Sequence, residues 1–234
     1  MRVLVLGATG GSGRAAVEAL VARGHEVTAF ARRAAEFPAG VRIAIGDATV
    51  ATDVDRAVQG QDAVLVTLGI AESPLRVRLR GSAGTPMDVR SRGTEHVVTA
   101  MRAHGVRRLL VQSSYGVGPT RDRLPLSNRL VFALLLRPQI ADTERQERAV
   151  RDSGLDWTLV QPVTLTDGDE PATWSTDDEP EGLAVQGMRV SRRALGEVLA
   201  DAVADAGLVG RTLAVSGAPT PTPAAAPVGR SVGR

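Results

Sequence analysis

Apolar residues along this chain fall into short continuous runs, and stretches with helical spacing separate the runs. The runs predict strands at Arg2–Leu6, Glu26–Phe30, Arg42–Ile45, Ala63–Thr67, Arg107–Gln112, Trp157–Gln161 and Thr212–Val215. The spacing predicts helices at Arg14–Ala22, Asp53–Gln59, Val89–His104, Ala141–Asp152 and Arg192–Ala204, with apolar positions three and four apart, as in Val17, Leu20 and Val21. Strands that alternate with helices in this way build βαβ units and a parallel sheet covered on both faces. Right-handed crossovers then give an α/β, doubly wound, Rossmann-type fold over residues 1–216. Ligands of such folds lie outside the carboxyl ends of the strands.

Three segments leave those strand ends and interrupt the alternation. Residues 71–86 carry Arg76, Arg78 and Arg80. Residues 115–138 include the apolar run Leu130–Leu136. Residues 166–182 are acidic around Trp174. All three are expected to be substrate loops. Residues 217–234, rich in Pro, Ala, Thr and Gly, are expected to form a disordered tail.

The first strand runs directly into Gly7-Ala8-Thr9-Gly10-Gly11-Ser12-Gly13, a G-x-x-G-x-x-G spacing that opens a helix. Glycine there permits a sharp turn, close approach of backbone N–H groups to a pyrophosphate, and tight helix–strand packing. The helix N-terminus then presents its positive dipole end to the phosphates.

Composition narrows the chemistry. With 234 residues and 43% hydrophobic content, the chain can bury a sizeable core, and no run reaches the length of a membrane helix. The glycine turn begins too near Met1 to leave room for a signal peptide, and cysteine is absent, so a cytoplasmic location is expected. All 28 basic residues are arginine, which gives a pI of 10.2 at a net charge of only +2. Arginines and acids are interspersed and aromatics are 3%, so neither a nucleic-acid nor a membrane partner is expected. Mechanisms that need a lysine ammonium are excluded. His25, His96 and His104 are scattered and predict no metal site. No Gly-x-Ser-x-Gly elbow supports a hydrolase.

The second strand ends in Arg32 and Arg33, where a site for NAD commonly has an acid for the ribose hydroxyls. Guanidinium suits a 2′-phosphate, so NADP(H) is expected over NAD(H). Asp47, beside Ala48, either accepts from an adenine amino group or caps the next turn. Leu68 and Gly69 end the fourth strand, where glycine lets backbone run close to a cofactor. The fifth strand ends in Ser113, Ser114 and Tyr115. Either serine can polarise a substrate or hold a nicotinamide amide. Tyr115 is an acid candidate or a loop aromatic that covers the pocket. Asp142, Glu144 and Glu147 line a helix near the pocket or form a solvated face.

These residues resemble the atypical short-chain dehydrogenase/reductases with NAD(P)H-binding domains, and within them the biliverdin-IXβ reductase/flavin reductase group. The resemblance covers about residues 1–217. It is carried by Leu6–Gly13, Gly24–Thr28, Gly46-Asp47-Ala48, Gly60–Val64, Met101–Val106, Ser153–Pro162 and Val190-Ser191-Arg192. It implies NADPH on Gly7, Thr9, Gly10, Gly11, Ser12 and Gly13, with Arg32 on the 2′-phosphate. Asp47 and Ala48 would hold the adenine. Leu68 and Gly69 would lie by the ribose and pyrophosphate. Pro162 and Val163 would border the nicotinamide with the two serines. A hydride would pass to a flavin, tetrapyrrole, quinone or similar small acceptor. The chain departs from ordinary members by lacking Tyr-x-x-x-Lys, by Val163 in place of a histidine, and by Thr143 in place of a lysine. A non-enzymatic NADP-binding redox sensor on the same fold is the alternative.

Overall fold

The computed structural model describes residues 1–69, 85–124, 137–179 and 182–218. Much of the expected loops 71–86 and 115–138, and the tail from residue 219, lie outside the described residues.

The strands are β1 (Arg2–Leu6), β2 (Glu26–Ala31), β3 (Arg42–Ile45), β4 (Ala63–Val66), β5 (Arg108–Gln112), β6 (Asp156–Pro162), β7 (Thr164–Thr166), β8 (Ala172–Thr176), β9 (Arg189–Ser191) and β10 (Arg211–Gly217). The helices are α1 (Gly11–Ala22), α2 (Ala51–Val58), α3 (Val89–His104), α4 (Arg137–Arg151) and α5 (Arg192–Ala204). The main sheet has the order β3-β2-β1-β4-β5-β6-β10-β8, and every described pairing in it is parallel except β8 with β10. This is the expected doubly wound Rossmann fold.

Alternation along the strands sends side chains to two cores. Val3, Val5, Leu65, Leu110 and Leu213 pack with residues of α1 and α5 on one face. Leu4, Leu6, Val64, Val66 and Leu109 pack with residues of α2 and α3 on the other. Helices α1 and α5 meet at Gly196, where an added β-carbon would lie 2.5 Å from the Ala15 backbone. Arg108, 9% exposed, stitches sheet to helix. Its guanidinium donates to the carbonyls of Ala202 (2.5 Å) and Val203 (3.1 Å) at the end of α5, and to Asp156 O and Thr158 Oγ1 (both 2.9 Å). A cation at a helix C-terminus matches the dipole and satisfies orphan carbonyls.

Three expectations need correction. The acidic stretch 166–182 is not all loop: β8 forms the antiparallel sheet edge, with Trp174 opposite Val215. Its charges are compatible with an edge strand because they cluster in the turns that flank it, where Asp178 pairs with Arg211 (2.9 Å). Residues 217 and 218 do not belong to a disordered tail, since β10 includes Gly217 and the Ala218 amide donates to Pro171 O (2.8 Å). The face of α4 is not solvated: Asp142 and Glu147 are 1% and 3% exposed.

Candidate functional site

Strand order reverses between β1 and β4, and a crevice opens there. Gly7 follows β1 with φ +80°, a left-handed conformation that favours glycine. An added β-carbon would stand 2.7 Å from Thr67 O, so β4 leaves no room for a side chain. The Gly10 amide donates to Gly7 O (2.9 Å), which closes the turn. Gly13, already inside α1, lies so close that its β-carbon would be 2.2 Å from the same carbonyl.

Helix α1 starts at Gly11, three residues before the expected Arg14, with Gly10 as its N-cap. No side chain caps it, and no acid stands in its first turn. The first-turn amides of Gly11, Ser12 and Gly13 have no acceptor within the helix by geometry. An uncapped N-terminus beside a glycine turn is a cradle for an anion. These residues fit a dinucleotide pyrophosphate.

A cleft of about 290 Å³ continues from the turn. Gly7, Thr9, Gly10, Arg32, Arg33, Asp47, Ala48, Leu68 and Gly69 line it, together with Phe30, Thr67, Thr85 and Val89. Nine of the expected cofactor residues thus come together. Ser12 and Gly13 are buried under the turn, and the β-carbon site of Gly11 meets the side chain of Arg192 (2.6 Å). Arg192 is tied to Asp167 and was not signalled by the glycine motif.

Electrostatics differ along the cleft. Arg32 and Arg33 are exposed at its outer end, and Arg32 reaches Thr85 Oγ1 (3.4 Å). The Asp47 Oδ1 atom accepts from Thr49 N and Thr49 Oγ1 (both 2.8 Å). It therefore caps its turn, the second of the two readings for this residue. The backbone bond from Thr49 holds the Asp47 carboxyl below its ordinary range, and Arg32 adds to the effect.

The strand-end hydroxyls lie over β5 and β6. The Ser113 amide donates to Val160 O (2.8 Å) and the Tyr115 amide to Pro162 O (3.0 Å), so the pairing with β6 continues past the end of β5. This brings Ser113, Ser114, Tyr115, Pro162 and Val163 together. Ser113 donates its hydroxyl proton to Glu147, which also accepts from Gln161 Nε2 (2.6 Å). With that proton engaged, Ser113 offers lone pairs rather than a proton. Ser114 is partly exposed.

Tyr115 departs from an acid role. It is 3% exposed, packs in the core with Val163 and Leu183, and donates its hydroxyl to Leu183 O (3.3 Å). Burial pushes its pKa above the ordinary value, the wrong direction for an acid at neutral pH. Pro162 and Val163 are likewise buried and do not line the described cleft.

Sequence reasoning left Glu147 open and missed Arg90. Arg90 stands in the first turn of α3. Its Nη2 lies 2.9 Å from the β-carbon position of Gly69. A cation in a helix's first turn is the only local signal that could have drawn attention to it. No group of His, Asp and Glu among the described residues is arranged to hold a metal, and no described helix is long and apolar enough to cross a membrane.

Comparison with known proteins agrees with this geometry. A Streptomyces protein named 3-diazoavenalumate denitrifying reductase is 41% identical over 126 residues, which cover 48% of this chain. The aligned segment spans only 38% of that relative's length. Two solved structures share the fold. A Rossmann-fold NAD(P)-binding family protein from Shigella flexneri is 24% identical with a TM-score of 0.65, covering 94% of this chain and 98% of its own. A short-chain dehydrogenase/reductase from Veillonella parvula in complex with NADP is 18% identical with a TM-score of 0.71, covering 92% of this chain and 94% of its own. The pattern of the NAD(P)H-binding family matches residues 7–206, and the chain belongs to that family.

Proposed function

We propose that this protein is an NADPH-dependent reductase of the atypical short-chain dehydrogenase type, close to the flavin and biliverdin-IXβ reductases. Its acceptor is a flavin, tetrapyrrole, quinone or similar small molecule. The carrying observation is the uncapped N-terminus of α1 over Gly7, Gly10 and Gly13, opening into a cleft whose far end holds Arg32 and Arg33. The first part suits a pyrophosphate and the second a 2′-phosphate. The Streptomyces relative, named as a reductase, supports the reaction class.

In this reading Asp47 and Ala48 bound the adenine, and Leu68 and Gly69 guide the chain of phosphates and ribose. Ser113, a lone-pair donor because of Glu147, accepts from the nicotinamide amide. Bound NADPH supplies a hydride to the acceptor, and the matching proton comes from water. The protein's part is to orient both molecules. Surface arginines are matched by acids, as in Arg2–Asp62 (2.7 Å) and Arg107–Asp156 (2.8 Å), which supports a small-molecule partner over nucleic acid or membrane.

The engaged protons of Ser113 and Tyr115 favour one second reading, a sensor that binds NADP(H) without turning it over. Calorimetric titration with NADPH and NADH, followed by FMN, riboflavin and a quinone with nicotinamide absorbance monitored, separates the two. Tighter NADPH binding with acceptor-dependent oxidation is expected. Tight binding without oxidation by any acceptor supports the sensor, and no dinucleotide binding overturns both.

A further inference from the structure

Helices α1 and α5 pack side by side, and two contacts set their alignment. The β-carbon position of Gly11, the first residue of α1, lies 2.6 Å from Cδ and 2.7 Å from Nε of Arg192, the first residue of α5. About one turn further along each helix, the β-carbon position of Gly196 lies 2.5 Å from the Ala15 backbone. The helices therefore run parallel and start level with each other. Because α1 follows β1 directly, both N-termini stand at the carboxyl edge of the sheet, beside the glycine turn. Neither helix has an acid in its first turn. Two positive dipole ends and the Arg192 guanidinium thus converge at the cradle that fits a pyrophosphate.

The anion that meets Arg192 is an exposed carboxylate. Asp167, the residue after β7, accepts from Arg192 Nη1 (2.5 Å) while its side chain is 87% exposed. The Arg192 side chain is itself about one-third exposed, so water competes for both partners and the pair is weak. The rest of the acidic turn is fastened independently. Arg193 Nη2 donates to Asp169 O (3.3 Å), and Ser191 Oγ donates to Glu170 O (3.1 Å). Asp167 can leave Arg192 without unravelling the turn. Gly11 carries no side chain, so the stem of Arg192 crosses the start of α1, and its Cζ lies 3.7 Å from the Gly11 β-carbon position.

We infer that Arg192 binds the pyrophosphate of the dinucleotide, and that Asp167 is the counter-ion it gives up in doing so. A pyrophosphate between two helix N-termini carries more charge than one solvated carboxylate and suits the guanidinium fork. The inference rests on dinucleotide binding and not on the acceptor or on the preference for NADPH.

Calorimetric Kd values for NADP⁺ and NAD⁺ test it in the full chain, as wild type, Arg192→Gln, Arg192→Lys, Asp167→Asn and the double variant of Arg192→Gln with Asp167→Asn. Both dinucleotides carry the pyrophosphate. Arg192→Gln is expected to weaken both about ten- to a hundredfold, and Arg192→Lys to restore part of the loss. Asp167→Asn is expected to tighten both about two- to fivefold, a gain that disappears in the double variant. The opposite signs set this apart from a structural ion pair, whose loss from either side would weaken binding alike. Each Tm is expected to stay within about 2 °C of wild type, because the pair is exposed. Weaker binding in both single variants overturns the inference, as do unchanged affinities in either. A loss confined to NADP⁺ also overturns it, because Arg192 would then serve the 2′-phosphate. If wild type binds neither dinucleotide, the cofactor reading itself fails and the inference falls with it.

Discussion

A β-carbon on Gly13 would stand 2.2 Å from the carbonyl oxygen of Gly7, so the first turn of α1 and the end of β1 approach more closely than any side chain permits. This contact seats the α1 amides at the bottom of the cleft. Gly13→Ala must push the helix away from the strand. The expected destabilisation is about 2 kcal/mol, a fall in Tm of roughly 4–8 °C. NADPH affinity should fall at least tenfold with it. A variant with unchanged Tm and unchanged affinity by calorimetry would show that the turn tolerates the displacement.

Arg32 stands at the far end of the same cleft, beside Asp47 and within 3.4 Å of Thr85 Oγ1. Removing it should affect only a ligand that carries a 2′-phosphate. Arg32→Ala is expected to weaken NADPH by about ten- to a hundredfold and NADH by less than about twofold. Equal losses for the two dinucleotides would remove the case for NADPH.

Arg108 illustrates how little of the packing was visible from local sequence. The strand pattern identified an arginine pair before an apolar run, and nothing in that pattern separates Arg107 from Arg108. In the fold, Arg107 forms an exposed pair with Asp156, whereas Arg108 turns inward and donates to the last carbonyls of α5. Arg108→Leu removes the guanidinium donors from both carbonyls and leaves Ala202 O only the long bond from the Asp205 amide (3.3 Å). It should cost roughly 2–4 kcal/mol in denaturant unfolding with NADPH affinity retained. Arg107→Leu should cost less than about 1 kcal/mol. Equal effects for the two variants would contradict this division of roles.

Tyr115 is the only tyrosine in the chain, so tyrosinate absorbance reports on it directly. Burial raises its folded pKa above the unfolded value of about 10. The folded state therefore favours the neutral phenol. The corresponding stability is fully present below about pH 10 and is lost as pH rises through the folded pKa. Ionisation should begin above about pH 10 and coincide with alkaline loss of structure. A midpoint below that value in folded protein would show an accessible, acidified hydroxyl and restore Tyr115 as a proton donor.

The sequence by itself determined the backbone framework of this protein. Apolar runs such as Val3–Leu6 and Ala63–Val66, separated by helical spacing, suffice for a parallel sheet, because burial on both faces leaves the strands no polar alternation. The Gly7–Gly13 spacing fixed the turn, since its conformation and contacts are local, although α1 begins at Gly11 and not at the expected Arg14. Most residues of the cleft follow, because they are the ends of β1, β2 and β4 and the turn after β3. Only the tertiary structure decided which polar side chains are covered. The sequence of α4 shows acids and arginines on every face, yet Asp142 is buried at the N-terminus of α3 and Glu147 under Ser113. Their partners lie 51 and 34 residues away in the chain. The same holds for Tyr115, turned into the core by Leu183 O. Periodicity assigns a residue to a face. Whether a charge on that face meets water, a helix end or a ligand depends on what distant segments place against it.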